Sequence, residues 1–420
     1  MVARKGYKLT EVGEIPEDWE VKKTETVIQE ISMGPFGSDI KVSNFILHGV
    51  PVLNGSNVRS TKISDIFTNF VSEKKSKSLK KAVASRGDVV ITHRGTLGQI
   101  SYIPKNSAYS RYIISQSQFR VQFDSNLVEP SWVVMFFRSR QGRQSLLEGK
   151  GHTGVPALAQ PTTKFRQLAI PLPSVEEQRI IATALSDADA LIDALEQGIV
   201  KKRQIKQGAM QELLTGKRRL PGFAGEWSVK QLGDVGQIKS GGTPSTLRAD
   251  FWDGEIPWCT PSDLTNLTCS KLLTQTSRSI SQYGPKFSSA EIIPKRSLIM
   301  TTRATIGECA INSVPMTTNQ GFKNIVPFAD VNVDFLYYLM STQKNRLVSL
   351  CGGSTFLEIG KTQLLSFEIL MPDYNEQTAI ANILSDMDDE IAALEAKLAK
   401  ARQIKIGMMQ ELLTGRIRLV

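Results

Sequence analysis

The sequence predicts a mixed α+β fold written twice. Two similar globular domains are joined by two long antiparallel coiled-coil helices, giving an internal pseudo-two-fold repeat. Three observations predict it. The phrase "RQIKQGAMQELLTG" (Arg203 to Gly216) returns as "RQIKIGMMQELLTG" (Arg402 to Gly415). Around it, residues 178–220 and 377–419 align without a gap at 26 of 43 positions. Both stretches also space their apolar residues by alternating threes and fours, the seam of a coiled coil rather than one face of a large core.

A chain of 420 residues is too long for one ordinary core. The expected division is a first globular domain over 1–174, a first long helix over 175–216, a second globular domain over 217–373, and a second long helix and tail over 374–420. The first domain opens with "GEIPEDWEVKKT" around Trp19, and the second answers with "AGEWSVKQLGDV" around Trp227. Further on, "GDVVITHRGTLGQISYI" (Gly87 to Ile103) answers "RSLIMTTRATIGECAIN" (Arg296 to Asn312). Each domain ends in an amphipathic stretch, "WVVMFFRSRQGRQSLL" or "FLYYLMSTQKNRLVSL", and a short apolar strand, "QLAIPLP" or "SFEILMP". Between the matched strands, "SMGPFGSDIKVSNFILHG" bears little likeness to "KSGGTPSTLRADFWDGEIPW". One scaffold thus carries two different surfaces.

The helices have explicit start and stop signals. Ser174 with Glu177, and Asp373 with Glu376, stand in capping-box spacing just after Pro173 or Pro372. Gly216 and Gly415 supply left-handed stops, and no proline intervenes. The first seam runs through Ile181, Leu185, Ala188, Ile192, Leu195 and Ile199, and the second through Ile380, Leu384, Met387, Ile391, Leu394 and Leu398. After a slip in phase the stripes continue at Ile205, Ala209, Leu213 and at Ile404, Met408, Leu412. Each helix should be about 60 Å long at about 1.5 Å per residue.

The net charge is +10, and residues 1–170 hold 24 Lys and Arg against 14 Asp and Glu, so the remainder is balanced. A polyanion partner suits the first domain, above all at "EKKSKSLKK", with Lys74, Lys75, Lys77, Lys80 and Lys81. The same run also reads as a solvated loop. No apolar run approaches the ~18 residues of a membrane span, and the start lacks the apolar core of a signal peptide, so a cytoplasmic protein is expected. Cys259, Cys269, Cys309 and Cys351 form no CxxC pair, and His48, His93 and His152 lack ligand spacing, so no metal site or disulfide framework is expected.

These features together resemble the specificity subunits of type I restriction and modification enzymes. The carrying residues are "RLPGFAGEW" (Arg219 to Trp227), "GGTPS" (Gly241 to Ser245), "TTRATIG" (Thr301 to Gly307) with its partner "THRGTLG" (Thr92 to Gly98), and the twin "QELLTG" helix ends. The resemblance spans essentially the whole chain. It implies two target recognition domains, each reading one half of a split, asymmetric duplex DNA site, with the helices setting the unread spacer. It further implies two modification subunits docked on the helices, and restriction subunits joined to them. S-adenosylmethionine, ATP and Mg belong on those partners, and this chain binds no cofactor and does no chemistry. The excess charge of the first domain suggests that the second half-site is bound with more help from a modification subunit.

Residues that differ between the copies are the expected base readers: Lys41, Asn44, Asn54, Asn57 and Arg59 in the first domain, and Arg248, Asp250, Asp263 and Asn266 in the second, with Gly241 and Thr243 as further DNA-binding candidates. Arg94 with Thr96, and Arg303 with Thr305, occupy matching turns. They read either as arginines reaching a phosphate or guanine edge, or as a shared turn with its arginine in a salt bridge. Trp252 and Trp258 could stack on a base, but core packing is the more ordinary reading.

Two other classes are weighed. A single-chain DNA-modifying enzyme needs residues that are missing. "EIGKT" (Glu358 to Thr362) lacks the earlier glycine of a phosphate loop, where Thr355 stands. Asp373, Glu395 and Lys397 mimic a nuclease but fall in or beside the predicted coiled coil, and no Asn-Pro-Pro-aromatic run exists for base methylation. A coiled-coil scaffold without DNA recognition leaves the duplicated but divergent domains unexplained.

Overall fold

The computed structural model describes residues 3–147, 157–267, 270–303, 305–351 and 357–419. The chain divides into two units, Met1–Ala194 with Ala399–Val420, and Leu195–Leu398. The division falls inside the long helices, so each unit takes in a globular segment together with parts of both helices.

The helices span Val175–Leu213 and Tyr374–Leu412, 39 residues each. That is about 58 Å at about 1.5 Å per residue. Ser174 Oγ accepts the Glu177 amide at 3.2 Å, and Asp373 Oδ1 accepts the Glu376 amide at 2.9 Å. At the far ends Gly216 and Gly415 take φ of 68° and 67°, where a Cβ would be strained. In the second unit Lys202 pairs with Glu390 at 2.7 Å, and Lys206 with Asp388, so the helix segments there run antiparallel. In the first unit Lys405 pairs with Asp189.

Most of the predicted seam is buried: Ile181, Leu185, Leu195 and Ile199, with Ile380, Leu384, Ile391 and Leu398. Ile192 and Leu394 are half-buried. The continuation after the slip holds at Leu213 and Leu412 but fails at Ile205 and Ile404, both exposed. The phase slip that keeps the later residues inward turns these two isoleucines outward.

In the first unit a four-stranded antiparallel sheet runs in the order Ile28–Met33, Gln118–Phe123, Val89–Thr92, Ile100–Tyr102. A second sheet joins Phe70–Val71, Val50–Leu53, Arg111–Ile114 and Val83–Ser85. The amphipathic stretch forms the helices Pro130–Arg138 and Arg140–Leu147, and the short apolar strand Ala169–Leu172 pairs with Glu20–Lys23. Trp19 and Trp132, both fully buried, meet edge to face at 5.6 Å in a core that also holds Phe119, Phe165, Leu185 and Leu412. The helix termini are therefore part of the globular core.

The second unit repeats the plan with five strands, in the order Gly236–Ser240, Lys323–Pro327, Leu298–Met300, Cys309–Asn312, Leu272–Leu273. Its helices Val333–Thr342 and Lys344–Ser349 and its strand pair Ser228–Gln231 with Glu368–Met371 answer those of the first unit. Its main core gathers Leu213, Phe335, Tyr338, Ile380 and Leu384.

Candidate nucleic-acid interface

The edge strand Ile28–Met33 runs into the stretch Gly34–Asp39, which turns across the end of the first sheet. Gly34 is demanded there, because a Cβ would lie 1.9 Å from the Ser115 carbonyl oxygen. Beside it, Ser72 caps the helix Glu73–Ser78 by accepting the Lys75 amide at 3.1 Å, and a 3₁₀ turn follows at Lys80–Ala82. Together with the turn after Val89–Thr92, these segments wall a groove of about 1010 Å³. Its lining includes Met33, Phe36, Asp39, Lys77, Lys80, Lys81, His93, Arg94 and Gln116. The structure thus brings together four of the cations singled out from the sequence.

Lys74 and Lys75 lie on the same short helix but do not line the groove. Their neighbour Glu73 pairs with Arg111 at 3.0 Å. His93 faces the Gln116 carbonyl oxygen at 3.3 Å through Nε2. Burial lowers its pKa, and because a carbonyl can only accept, Nε2 carries the proton in this contact. Thr96 is exposed, with its hydroxyl on Gln99 at 3.1 Å. Lys41 is exposed on a 3₁₀ turn where Asn44 Oδ1 accepts its amide at 3.0 Å.

Two first-domain candidates, Asn57 and Asn54, share a loop that the Asn57 side chain holds together. Asn57 is buried; its Oδ1 accepts the Asn54 amide at 2.9 Å, and its Nδ2 donates to the Ser64 and Ile66 carbonyls at 3.1 and 2.7 Å. That amide is consumed in holding a loop. Asn54, half-buried, is in the same loop, and its carbonyl accepts from Gln118 at 3.2 Å. Arg59 lies elsewhere, bordering a cavity of about 210 Å³ with Arg138, Asp189 and Lys405.

In the second unit several candidates are explained by packing. A Cβ at Gly241 would lie 1.8 Å from the Asn319 carbonyl oxygen, so this glycine serves a close backbone approach. Thr243 donates to Gln320. Asp263 accepts the Thr260 amide and hydroxyl, each at 2.7 Å, and the Ser277 amide at 2.8 Å. These bonds hold its carboxyl below the usual aspartate pKa against the cost of its partial burial, and they tie it to its own loop. Trp252 and Trp258 are buried edge to face at 4.9 Å, with Arg278 over Trp252 at 3.8 Å, so they are core. Arg248 is exposed and bound to Asp250 through two hydrogen bonds of 2.8 and 2.6 Å. Asn266 is exposed at the end of the helix Pro261–Thr265. Arg303 is paired with Glu358 at 2.8 Å, the salt-bridged turn arginine of the two readings, and Thr305 beside it is exposed.

Sequence reasoning missed an apolar component. Phe36, Val42 and Leu47 are 83%, 85% and 85% exposed, all within the stretch that differs most between the copies. In the second unit Leu247, Tyr283 and Phe287 are exposed likewise. Large apolar side chains in a divergent, glycine-flanked segment were the available signal.

Cys259, Cys309 and Cys351 are free thiols, and burial raises the pKa of Cys259 and Cys309. Among the described residues no group of His, Cys, Asp or Glu could hold a metal ion. Cys269, His152 and Thr355 lie outside the described residues. No helix is long and apolar enough to cross a membrane among those residues.

The fold defines a duplicated α+β protein whose two modules are each built on parts of the same pair of long helices. The family described as "Type I restriction modification DNA specificity domain" matches it twice, over residues 16–207 and 224–403, and the chain belongs to that family. It is 42% identical to the MjaIX type I restriction enzyme specificity subunit of Methanocaldococcus jannaschii over 168 residues, 40% of this chain and 39% of that one. With the MjaVIII specificity subunit of the same organism the identity is 24% over 425 residues, covering 96% of this chain and 94% of the relative. The crystal structure of the type I restriction-modification system S subunit from M. genitalium shares the fold, with a TM-score of 0.59, 15% identity, and 96% and 97% of the two chains covered.

Proposed function

We propose that this chain is the non-catalytic, sequence-reading subunit of a type I restriction-modification complex, each unit reading one half of a bipartite, asymmetric DNA target. The observation that carries the reading is the pairing of a repeated scaffold with unlike loops. The turns, strand pairs and helix ends recur in both units, while the loop sequence that enters the first unit's groove, "SMGPFGSDIKVSNFILHG", bears little likeness to "KSGGTPSTLRADFWDGEIPW" of the second. A protein that reads two different half-sites from one framework needs that division.

The groove supplies the chemistry. Lys77, Lys80, Lys81 and Arg94 present four cations along one depression, and each phosphate they neutralise releases condensed counterions. Phosphate contacts set register, and exposed side chains of the divergent loop, Phe36 and Lys41 among them, meet base edges. In the second unit Arg248, Asn266 and Thr305 are among the exposed polar groups available for the same task. With less excess charge there, the second half-site draws more on a partner subunit.

The partners are two modification subunits, which carry S-adenosylmethionine, and restriction subunits, which use ATP and Mg; this chain binds none of these cofactors. The exposed helix residues Leu191, Val200, Ile205, Ile404 and Ile406 offer apolar surface for docking. The working compartment is the cytoplasm. Mapping genomic methylation with and without the chain tests the reading: a bipartite motif should appear only when the chain is present. An unchanged methylome in cells holding the partner subunits would refute it.

A further inference from the structure

The turns that carry Arg94 and Arg303 are one structure built twice. In the first unit the Thr92 amide donates to the Gln99 carbonyl at 2.8 Å, Gly98 to Thr92 at 3.0 Å, and Leu158 to His93 at 2.9 Å. In the second, Thr301 donates to Glu308 at 2.9 Å, Gly307 to Thr301 at 2.9 Å, and Ile359 to Thr302 at 3.1 Å. Each arginine consequently forms a single antiparallel bridge to the residue before the matching leucine or isoleucine: Arg94 with Ala157, and Arg303 with Glu358. That partner position differs in charge. The Glu358 carboxylate lies 2.8 Å from the Arg303 guanidinium, whereas Ala157 carries no charge and Arg94 has no ion-pair partner among the described residues.

We propose that the residue at this bridge decides whether the turn arginine takes a DNA phosphate. Arg94 is the phosphate-binding arginine of the first unit, and Arg303 is masked by Glu358. The inference rests on the DNA-reading function proposed above. Both members of the Arg303–Glu358 pair are about half exposed, so the pair is not locked in place. Its effect is on the field. A phosphate approaching Arg303 meets a carboxylate at a similar distance, so the arginine's own attraction is largely cancelled and the neighbouring Lys323 and Lys361 remain to draw it. A phosphate approaching Arg94 finds Lys77, Lys80 and Lys81 on the same groove, whose charges add to the arginine's. The acid on that groove, Asp39, has its carboxylate on the Phe36 amide at 3.0 Å.

The test uses the full chain assembled with its modification subunit, and a fluorescent duplex bearing the target found by methylation mapping, with affinity followed across KCl concentration. R94A should weaken binding about ten-fold and reduce the log–log salt slope by about one, the share of one phosphate contact. R303A should stay within about two-fold of the parent. A157E should reproduce the R94A loss with Arg94 still in place, while A157Q, of the same size but neutral, should not. E358A should bind several-fold more tightly, and the double variant R303A/E358A should lose that gain. Equal losses in R94A and R303A, or a parental salt slope in A157E, would overturn the proposal. If the unaltered complex does not prefer its target duplex, the DNA reading itself fails and this proposal with it. If it does prefer the target and R94A keeps the full slope, only the present proposal fails.

Discussion

Arg219 and Glu376 are joined by two hydrogen bonds of 2.7 Å, and the same carboxylate accepts the Trp227 indole at 3.0 Å. The first unit repeats the clasp with Arg418 on Glu177 at 2.8 Å and Trp19 at 3.2 Å. In each unit, then, the segment that leaves one long helix closes over the first turn of the other. Arg418 also binds Asp18 at 3.0 Å, and the two acids raise its pKa further above the ordinary arginine value. The glutamate in capping-box spacing has become the anchor of a tertiary junction. Its companions, Arg219 with Arg418 and Trp227 with Trp19, occupy matching places in the two copies.

This junction predicts a stability effect. Glu376 is fully buried, so Glu376→Ala removes the acceptor for both an indole and a guanidinium. The expected cost is about 3 kcal/mol, in the range for breaking a buried charged pair by removing one partner. The exposed pair Arg248–Asp250 is the control, and Asp250→Ala should leave stability unmoved. Urea midpoints of the two variants check both statements. Equal midpoints would show that the clasp is dispensable.

A pH effect follows from Asp88. Burial raises its carboxyl from 3.8 to about 6, although Oδ2 accepts the Ser85 amide at 2.9 Å and lies 3.3 Å from Arg120, which also pairs with Glu30. A carboxyl whose pKa is higher in the folded state holds its proton better there than in the unfolded chain. Its contribution to stability is therefore greatest below about pH 4 and is lost as pH rises through about 6. The full span is on the order of 2–3 kcal/mol. Relative to Asp88→Asn, the parent should lose stability between pH 4 and pH 6 in urea titrations. A constant difference across that window would contradict the assignment.

What could be read beforehand was local or periodic. The caps at Ser174 and Asp373, the stops at Gly216 and Gly415, and the strands Ala169–Leu172 and Glu368–Met371 each depend on residues a few places apart, and the duplication wrote each signal twice. The fate of polar loop residues depends on partners far along the chain. Nothing near Arg303 announces Glu358, and nothing near Asp263 announces the Ser277 amide. Asn57 looks like any loop asparagine until the loop folds around it and closes on Ser64 and Ile66. Ile205 and Ile404 failed for a related reason, since a heptad stripe tells where a seam runs but not which turn departs from it.

Modular reading has a direct consequence. Exchange of residues 24–160 for the matching segment of a related protein replaces the loops of the first unit between the strand Glu20–Lys23 and the helix Pro161–Gln167. The scaffold pairs of the second unit are untouched. The methylated motif should change in one half and keep the other, as sequencing of modified bases reports. Simultaneous change of both halves would mean that the units do not read independently.

The helices should also set the spacer between half-sites. The ion pairs place Asp189 with Lys405 in the first unit and Lys202 with Glu390 in the second. To shorten both helices while sparing these pairs and the Arg203–Glu395 pair, the segments to remove are Ile192–Gly198 with Ala396–Arg402. Deleting repeat-equivalent segments, such as Ala188–Ala194 with Met387–Ala393, would instead take Asp189 and Glu390 out of their pairs. Loss of one heptad from each helix keeps the apolar period and removes about 10 Å of helix at about 1.5 Å per residue. That length matches about three base pairs, or about a third of a turn of B-DNA. The shortened protein should therefore stop methylating the parental target, and any target it accepts should keep the same half-sites at a new spacing. Assembly with the modification subunit, followed by size-exclusion chromatography, separates loss of spacing from loss of folding. An assembled variant that methylates the original spacing at the parental rate would show that the helices do not set the distance.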